Sequence, residues 1–220
     1  MKRTIITTSD GSTSLKMEQW DETYHSVHGA IQESLHVYIQ NGFNRIDKQH
    51  IRILEMGFGT GLNAFLSYVN AVEQQKQISY CGIEGFPLNE EEIACLNYAN
   101  QEEWQVHQPM FKAMHALEWG TEQALDTHFT LKKVASTFED VVITDRFDLV
   151  YFDVFGYPFQ PELWSEAIFQ KVYDALDSGG VLVTYACRGP IRRAMKAVGF
   201  EPEKVPGPPG KREMLVAWKP

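Results

Sequence analysis

The stretch Ile53-Leu54-Glu55-Met56-Gly57-Phe58-Gly59-Thr60-Gly61-Leu62-Asn63 decides how the rest of the chain is read. A short apolar run passes into a turn with glycine at every second position, and an apolar helical pattern follows at once over 62–74. Glycines at such a junction let the main chain approach a ligand closely and take backbone angles closed to other residues. The spacing is G-x-G-x-G. Leu62 stands where the dinucleotide fingerprint G-x-G-x-x-G wants its third glycine, so NAD is the weaker reading.

Working outward from this turn, short apolar runs alternate with longer periodic segments, the texture of parallel βαβ units. Strands are expected at 51–56, 78–83, 129–134, 147–152, 181–185 and 214–218, with a further strand near 201–205 pairing with the last as an antiparallel hairpin. Helices are expected over 62–74, 89–100 with Asn89 as cap, 161–176 ending before Gly179-Gly180, and 190–198 opened by Pro190. The stretch 102–127 reads as helical with Pro109 interrupting it. Ahead of this domain, Thr8-Ser9-Asp10-Gly11-Ser12 suits a tight hairpin turn, and 29–39 has helical apolar spacing. The expected organisation is an N-terminal hairpin and helix over 1–45 packed on a main domain over 46–220.

Composition excludes several classes. The 220 residues carry 20 Lys plus Arg against 29 Asp plus Glu, and 44% are hydrophobic, which fits a packed core and not a disordered tail. Cys81, Cys95 and Cys187 are too few and too far apart for a disulfide scaffold. No apolar run approaches the roughly 20 residues that span a bilayer, and the start turns polar too early for a signal core, so a cytoplasmic location is expected. The net charge of −9 hides a basic end: Arg188, Arg192, Arg193, Lys196, Lys204, Lys211, Arg212 and Lys219 face only Glu201, Glu203 and Glu213.

The glycine turn resembles the first motif of the Rossmann-like class I methyltransferases, E/D-x-G-x-G-x-G, which bind S-adenosylmethionine against this loop. That resemblance places Glu55 near the methionine end of the cofactor. An independent acid supports it: Glu84 ends the second strand, where a carboxylate can accept hydrogen bonds from both ribose hydroxyls. Many such enzymes carry an Asp after the third strand for the adenine amino group. Here the run is Leu131-Lys132-Lys133-Val134-Ala135-Ser136-Thr137-Phe138, which leaves Ser136, Thr137 or a backbone group to serve. The expected cofactor set is Glu55, Gly57, Gly59, Gly61, Asn63, Glu84 and Thr137.

The reaction signal follows the fourth strand, in Asp153-Val154-Phe155-Gly156-Tyr157-Pro158. Strand carboxyl ends of a parallel sheet face the ligand crevice, so Asp153 shares that space with the glycine turn. Methyl transfer to a neutral amine needs alignment of its lone pair and a carboxylate that orients it and helps take its proton. Asp153 can do both, as the expected catalytic residue.

Beyond these motifs, Pro161-Glu162-Leu163-Trp164, Thr184-Tyr185-Ala186-Cys187, Ile191-Arg192-Arg193, Ala197-Val198-Gly199-Phe200 and Gly210-Lys211-Arg212-Glu213-Met214-Leu215 resemble the methyltransferase half of the bacterial bifunctional tRNA wobble-uridine enzymes. The opening, with Asp10-Gly11-Ser12 and 28–38, fits as well, so the resemblance covers nearly the whole chain. It implies methylation of the amine of 5-aminomethyl-(2-thio)uridine at the tRNA wobble position. The chain's end at Pro220 reads as a stand-alone version that receives the amine from a separate oxidase. The family usually reads D-G-F-A-P after the fourth strand. Val154 replaces its glycine here, and Gly156-Tyr157 stand before Pro158, which narrows the expected pocket.

The RNA reading gives the basic end a purpose. Arg188, Lys211 and Arg212, with Arg192 and Arg193, would neutralise phosphates while Phe155, Tyr157 and Pro158 frame a splayed-out base. The plainer reading is that Lys211 and Arg212 close a surface hairpin. A small amine or a protein is the alternative substrate, and a partner-binding module without catalysis the third possibility, against which the intact Gly57, Gly59, Gly61, Glu84 and Asp153 count. No metal is expected, since His25, His28 and His36 lack clustered cysteines or carboxylates at ligand spacing; these histidines read instead as packing or as lining the cofactor cleft. Trp104, Trp119 and Trp164 read as core anchors.

Overall fold

The computed structural model describes residues 2–220. The chain opens with β1 (Arg3–Thr7), β2 (Thr13–Met17) and β3 (Glu22–Thr23), a small antiparallel sheet, and continues into α1 (Ala30–Ser34), whose last turns widen into a π-helical stretch, Leu35–Gln40. Then come β4 (His50–Met56), α2 (Leu62–Glu73), β5 (Gln77–Glu84), α3 (Glu90–Ala94), α4 (Gln108–Ala116), β6 (Glu122–Ala124), β7 (Phe129–Ala135) and β8 (Phe147–Phe152). The last third holds α5 (Glu166–Ala175), β9 (Leu176–Thr184), α6 (Gly189–Ala197), β10 (Glu201–Pro206) and β11 (Glu213–Trp218).

The main sheet has eight strands in the order β10-β11-β9-β8-β4-β5-β7-β6. Its centre, β7-β5-β4-β8-β9, is parallel, while β11, β10 and the edge strand β6 run antiparallel to their neighbours. Every residue of β8 is buried, as expected of a strand with helices over both faces. One face packs under α1, α2 and α4 around Phe65, Tyr80, Phe129 and Tyr151; the other packs under α5 and α6 around Phe152, Trp164 and Phe169. Strand order reverses direction from β4, so β5 and β8 flank it and the crevice opens at their carboxyl ends.

Three expectations are corrected. The helix expected over 89–100 keeps its cap, with Asn89 and Glu92 in a reciprocal capping box, but stops at Ala94. The reason is tertiary: Asn97 turns to the N-terminal hairpin, its Oδ1 accepting from Thr13 N (2.8 Å) and its Nδ2 donating to Gly11 O (2.9 Å). The helix over 161–176 splits at Ser165, whose extended backbone separates a 3₁₀ turn from α5, and Leu176 already begins β9. That strand reaches back through Gly179-Gly180 by a bulge opposite 147–149, with Gly179 at φ +79°. The stretch 102–127 is helical only to Ala116: a 3₁₀ segment, Glu102–His107, gives way at Pro109 to α4, in whose first turn no N–H is needed, and 122–124 is strand. The hairpin turn expected at 8–12 is present and tight: Thr8 N donates to Ser12 O and Gly11 N to Thr8 O, each at 2.9 Å, with Gly11 at φ +82°. Asp10 knits it, accepting from Thr8 Oγ1 at 2.6 Å and Ser12 N at 3.1 Å, and ties it to α1 through Gln32 N at 3.2 Å.

Candidate active site

At the end of β4 the chain turns so sharply that Gly57 N and Phe58 N both donate to Ile83 O of β5, each at 3.0 Å. Gly57 has φ +97°, and a Cβ there would lie 2.3 Å from Asp153 O. The glycine is therefore demanded by the loop after β8 passing directly over it. Gly61, at φ +72°, starts α2 in the left-handed region, against the His115 ring. Glu84 closes the turn from the side: Oε2 accepts from Gly59 N at 2.9 Å and Oε1 from Phe86 N at 2.8 Å.

These loops line a cavity of about 290 Å³. Gly57, Gly59, Asn63, Glu84, Thr137, Asp153 and Phe155 from the sequence reading all face it. Phe86 and Phe138 supply apolar wall near Glu84, and Glu139 stands beside them. Thr137 Oγ1 donates to Asp140 Oδ2 at 2.8 Å, so its hydroxyl is already engaged in a local turn. Val154, which replaces the family's glycine, is 4% exposed and divides its side chain between the cavity and the core under α5.

A polar chain runs behind Asp153. Asn63 Nδ2 donates to Asp153 Oδ2 at 2.9 Å and to Glu55 Oε1 at 2.8 Å, while Tyr80 Oη donates to Glu55 Oε2 at 2.8 Å. Both Nδ2 hydrogens are thereby used, which fixes the amide and leaves Asn63 Oδ1 buried without a partner. Burial pushes the Asp153 carboxyl up to about 6, against the lowering effects of the Tyr38 hydroxyl, the Asn63 amide and the Lys211 charge; Glu33 adds to the rise. Burial also raises Glu55 well above the carboxylate range, and the neighbouring Asp153 adds to it. One amide thus bridges two carboxyls that burial shifts in the same direction, toward the neutral form.

The placement differs from the sequence reading in several positions. Glu55 is fully buried and reaches the cavity only through Asn63. Gly61 shapes the start of α2 without facing the cavity. Tyr157 packs toward the α5 and α6 core, and Pro158 lies exposed beyond it. Arg188, which precedes α6, and Arg212 are exposed and outside the cavity lining. Lys211 is half-buried and ion-paired with Glu33. Trp104 and Trp164 are buried, and Trp119 packs on the core.

Residues that the sequence reading missed come mostly from the N-terminal sheet and the loop behind it. Trp20 and Tyr24 meet Phe155 edge to face, with ring centroids 5.4 Å and 5.1 Å apart. Tyr24 lies close to Gly59, where a Cβ would meet its ring at 3.4 Å. Of the histidines read as packing or lining the cleft, His25 faces the cavity, with Nδ1 2.9 Å from Ser14 Oγ, and burial pushes it down to about 4, so it is neutral. The loop after β8 is held by its carbonyls: Tyr185 Oη donates to Val154 O at 2.8 Å and Trp164 Nε1 to Phe155 O at 2.9 Å. Among the described residues, no group of three or more His, Cys, Asp or Glu stands together as a metal site, and no helix is long and apolar enough to cross a membrane.

A parallel sheet with this strand order, a glycine turn after its first strand and an acid ending its second define the class as a Rossmann-like class I methyltransferase. A family model described as S-adenosyl-L-methionine-dependent methyltransferase matches residues 99–220, and the chain belongs to that family. Among curated relatives, the tRNA 5-methylaminomethyl-2-thiouridine biosynthesis bifunctional protein MnmC of Actinobacillus pleuropneumoniae is 28% identical over 227 residues, covering 92% of this chain and 33% of that protein. The protein of the same name from Leptospira interrogans is 29% identical over 211 residues, covering 90% of this chain and 33% of its own length. The chain thus spans about a third of the length of the curated relatives it matches. Among solved structures, MnmC2 from Aquifex aeolicus superposes with a TM-score of 0.81 at 23% identity, over 100% of this chain and 71% of that one. Spermidine synthase from Thermotoga maritima follows the same fold at a TM-score of 0.58 and 12% identity, over 98% of this chain and 68% of that one.

The residues present fit S-adenosylmethionine. The glycine cradle has no room for a Cβ at Gly57, and Glu84 keeps free lone pairs beside two backbone donors. Phe86 and Phe138 add apolar lining that a ribose-linked base could use, and Asp153 faces the same cavity.

Proposed function

We propose that this chain methylates the amine of 5-aminomethyl-(2-thio)uridine at the tRNA wobble position, giving 5-methylaminomethyl-(2-thio)uridine. The observation that carries the reading is Asp153, which faces one cavity together with the glycine turn and with Trp20, Tyr24 and Phe155. The relatives' names, which refer to 5-methylaminomethyl-2-thiouridine, supply the nucleoside.

When bound, S-adenosylmethionine supplies an electrophilic methyl group. The chain's residues do the rest by position. Glu84 would accept hydrogen bonds from the ribose hydroxyls, and the glycine turn would hold the cofactor beside it. Glu139 is the acid near the adenine end that the third-strand run lacks, in place of the engaged Thr137. Asp153 accepts a hydrogen bond from the substrate amine, aligns its lone pair and takes the proton; a carboxyl held near about 6 is a stronger base than an ordinary aspartate yet still ionised at neutral pH. Trp20, Tyr24 and Phe155 frame the flipped base. Arg188 and Arg212, exposed on either side, meet phosphates. The reaction belongs in the cytoplasm, on an amine that an oxidase supplies, and residues 1–45 pack on the domain over 46–220.

The test is transfer of labelled methyl from S-adenosylmethionine to tRNA from cells lacking this last methylation, with Asp153→Ala as control and nucleoside analysis of the product. Label in a 5-methylaminomethyl uridine, absent with the variant, is expected. Label appearing instead only in small amines or protein would replace tRNA as the substrate.

A further inference from the structure

The loop between β10 and β11 does not hang free at the sheet edge. Lys211 of this loop ion-pairs with Glu33 of α1, a residue 178 positions earlier. Glu33 is 7% exposed, and its second oxygen accepts from Ser26 N at 2.8 Å. Two further contacts join the same parts: His36 Nε2 lies 2.9 Å from Pro206 O, and Gly210, at φ +84°, stands where a Cβ would be 2.4 Å from His28 Cδ2. The two ends of the chain are clasped along a seam, and Lys211 is its charged member.

From Lys211 the contacts lead into the active site. Its Nζ sits 4.1 Å from the centroid of the Tyr185 ring, and Tyr185 Oη holds Val154 O, the carbonyl next to Asp153. Asp153 is held from the other side by Asn63. An ammonium already committed to a carboxylate and a ring, on a side chain one-third exposed, is poorly free to meet a phosphate.

We propose that Lys211 is a positioning residue for methyl transfer: seated between Glu33 and Tyr185, it braces the Asp153–Phe155 loop so that the carboxylate keeps its place at the cavity. The proposal rests on the reading of Asp153 as the carboxylate that receives the amine. It also replaces the role of Lys211 as a phosphate contact. The charged and titratable groups around Asp153 are Glu33 and Tyr38 from α1 and its extension, Glu55 and Tyr80 from β4 and β5, Tyr185 after β9, and Lys211 itself.

The experiment compares Lys211→Gln, Lys211→Arg, Glu33→Gln and the charge swap Glu33→Lys with Lys211→Glu, in the tRNA methylation assay over pH and salt. Lys211→Gln is expected to lower kcat by roughly tenfold or more while the tRNA affinity and its salt slope stay within about twofold. The acid limb of kcat/KM moves to higher pH, because a positive charge that favours ionised Asp153 is gone. Glu33→Gln moves that limb to lower pH. Lys211→Arg keeps most activity, and the swap recovers part of what each single reversal loses. Weaker tRNA binding, a salt slope shallower by about one and an unchanged kcat in Lys211→Gln would make Lys211 a phosphate contact and overturn the proposal. So would no change in any of these. Should the wild-type protein bind S-adenosylmethionine yet methylate no amine, the Asp153 reading itself fails. Amide exchange then still reads the clasp: protection of residues 30–40 that is unchanged in Lys211→Gln overturns it independently.

Discussion

The two walls of the cavity are built on different principles. The wall formed by the strand ends is made of main chain: Gly57 and Phe58 share Ile83 O, Gly59 N is held by Glu84, and Asp153 N donates to Met56 O at 2.9 Å. The facing wall is made of side chains, with Trp20, Tyr24 and His25 brought in by the N-terminal sheet, while Glu33 and Tyr38 of α1 and its extension are buried outside the lining. The first is fixed by backbone angles and tolerates almost no change. The second is fixed by packing and ion pairing, and a substitution there trades one contact for another. Cofactor binding should follow the first wall and substrate choice the second.

The sharpest way to break this contrast is Gly57→Ala. The backbone angle alone costs about 1–3 kcal/mol, and its Cβ meets Asp153 O, so calorimetry should find S-adenosylmethionine binding lost. Binding unchanged would mean that the strand-end wall is not rigid. Next comes Asn63→Leu, which removes the amide between Glu55 and Asp153. Both carboxyls lose a hydrogen bond that favours the charged form, so the acid limb of kcat/KM moves up from near pH 6 and activity at neutral pH falls by about tenfold. A profile that only drops in height would leave Asn63 as a contact to the cofactor alone.

Smaller effects are expected across the cavity. Trp20→Ala should raise the KM for tRNA by an amount set by about 1–3 kcal/mol of base stacking, with cofactor affinity nearly unchanged. Equal losses in both would erase the division between the walls. The smallest effect is on stability. His25 has a folded value of about 4, below its ordinary 6.5, so the unfolded chain binds the extra proton between these values. Its contribution is full above pH 6.5 and is lost as pH falls toward 4, while Asp153 and Glu55, raised in the fold, act in the opposite direction. In His25→Gln the melting temperature should therefore fall less steeply over that acid range than in the wild type.

The same division explains what the sequence disclosed. Gly57, Gly59, Gly61 and Glu84 leave a readable pattern because their constraint is local: a strand, a turn and a helix within about a dozen residues, then an acid one strand later. Asp153 was legible because a strand end in a parallel sheet has a known side. Trp20 and Tyr24 carry no such signal, since nothing near them in the chain says which surface they will meet. Glu55 misled for a related reason: the motif gave its position, but only Tyr80 and Asn63, which enclose it, put it behind the cavity. The early end of α3 has the same origin, for Asn97 is drawn away by a hairpin more than eighty positions earlier.

The seam between Glu33 and Lys211 also sets an order of events during synthesis. Chains emerge at about 5–20 residues per second and begin to fold from the N-terminal side. Residues 30–40 leave the ribosome long before residue 211, so for most of that time Glu33 has no cation to meet and α1 has an unfinished flank. The glycine turn can form as soon as β5 is available, whereas the brace on Asp153 waits for residue 211. A nascent chain can thus hold a formed cofactor loop while lacking a braced carboxylate, so that catalytic competence is withheld until the β10–β11 loop has been made.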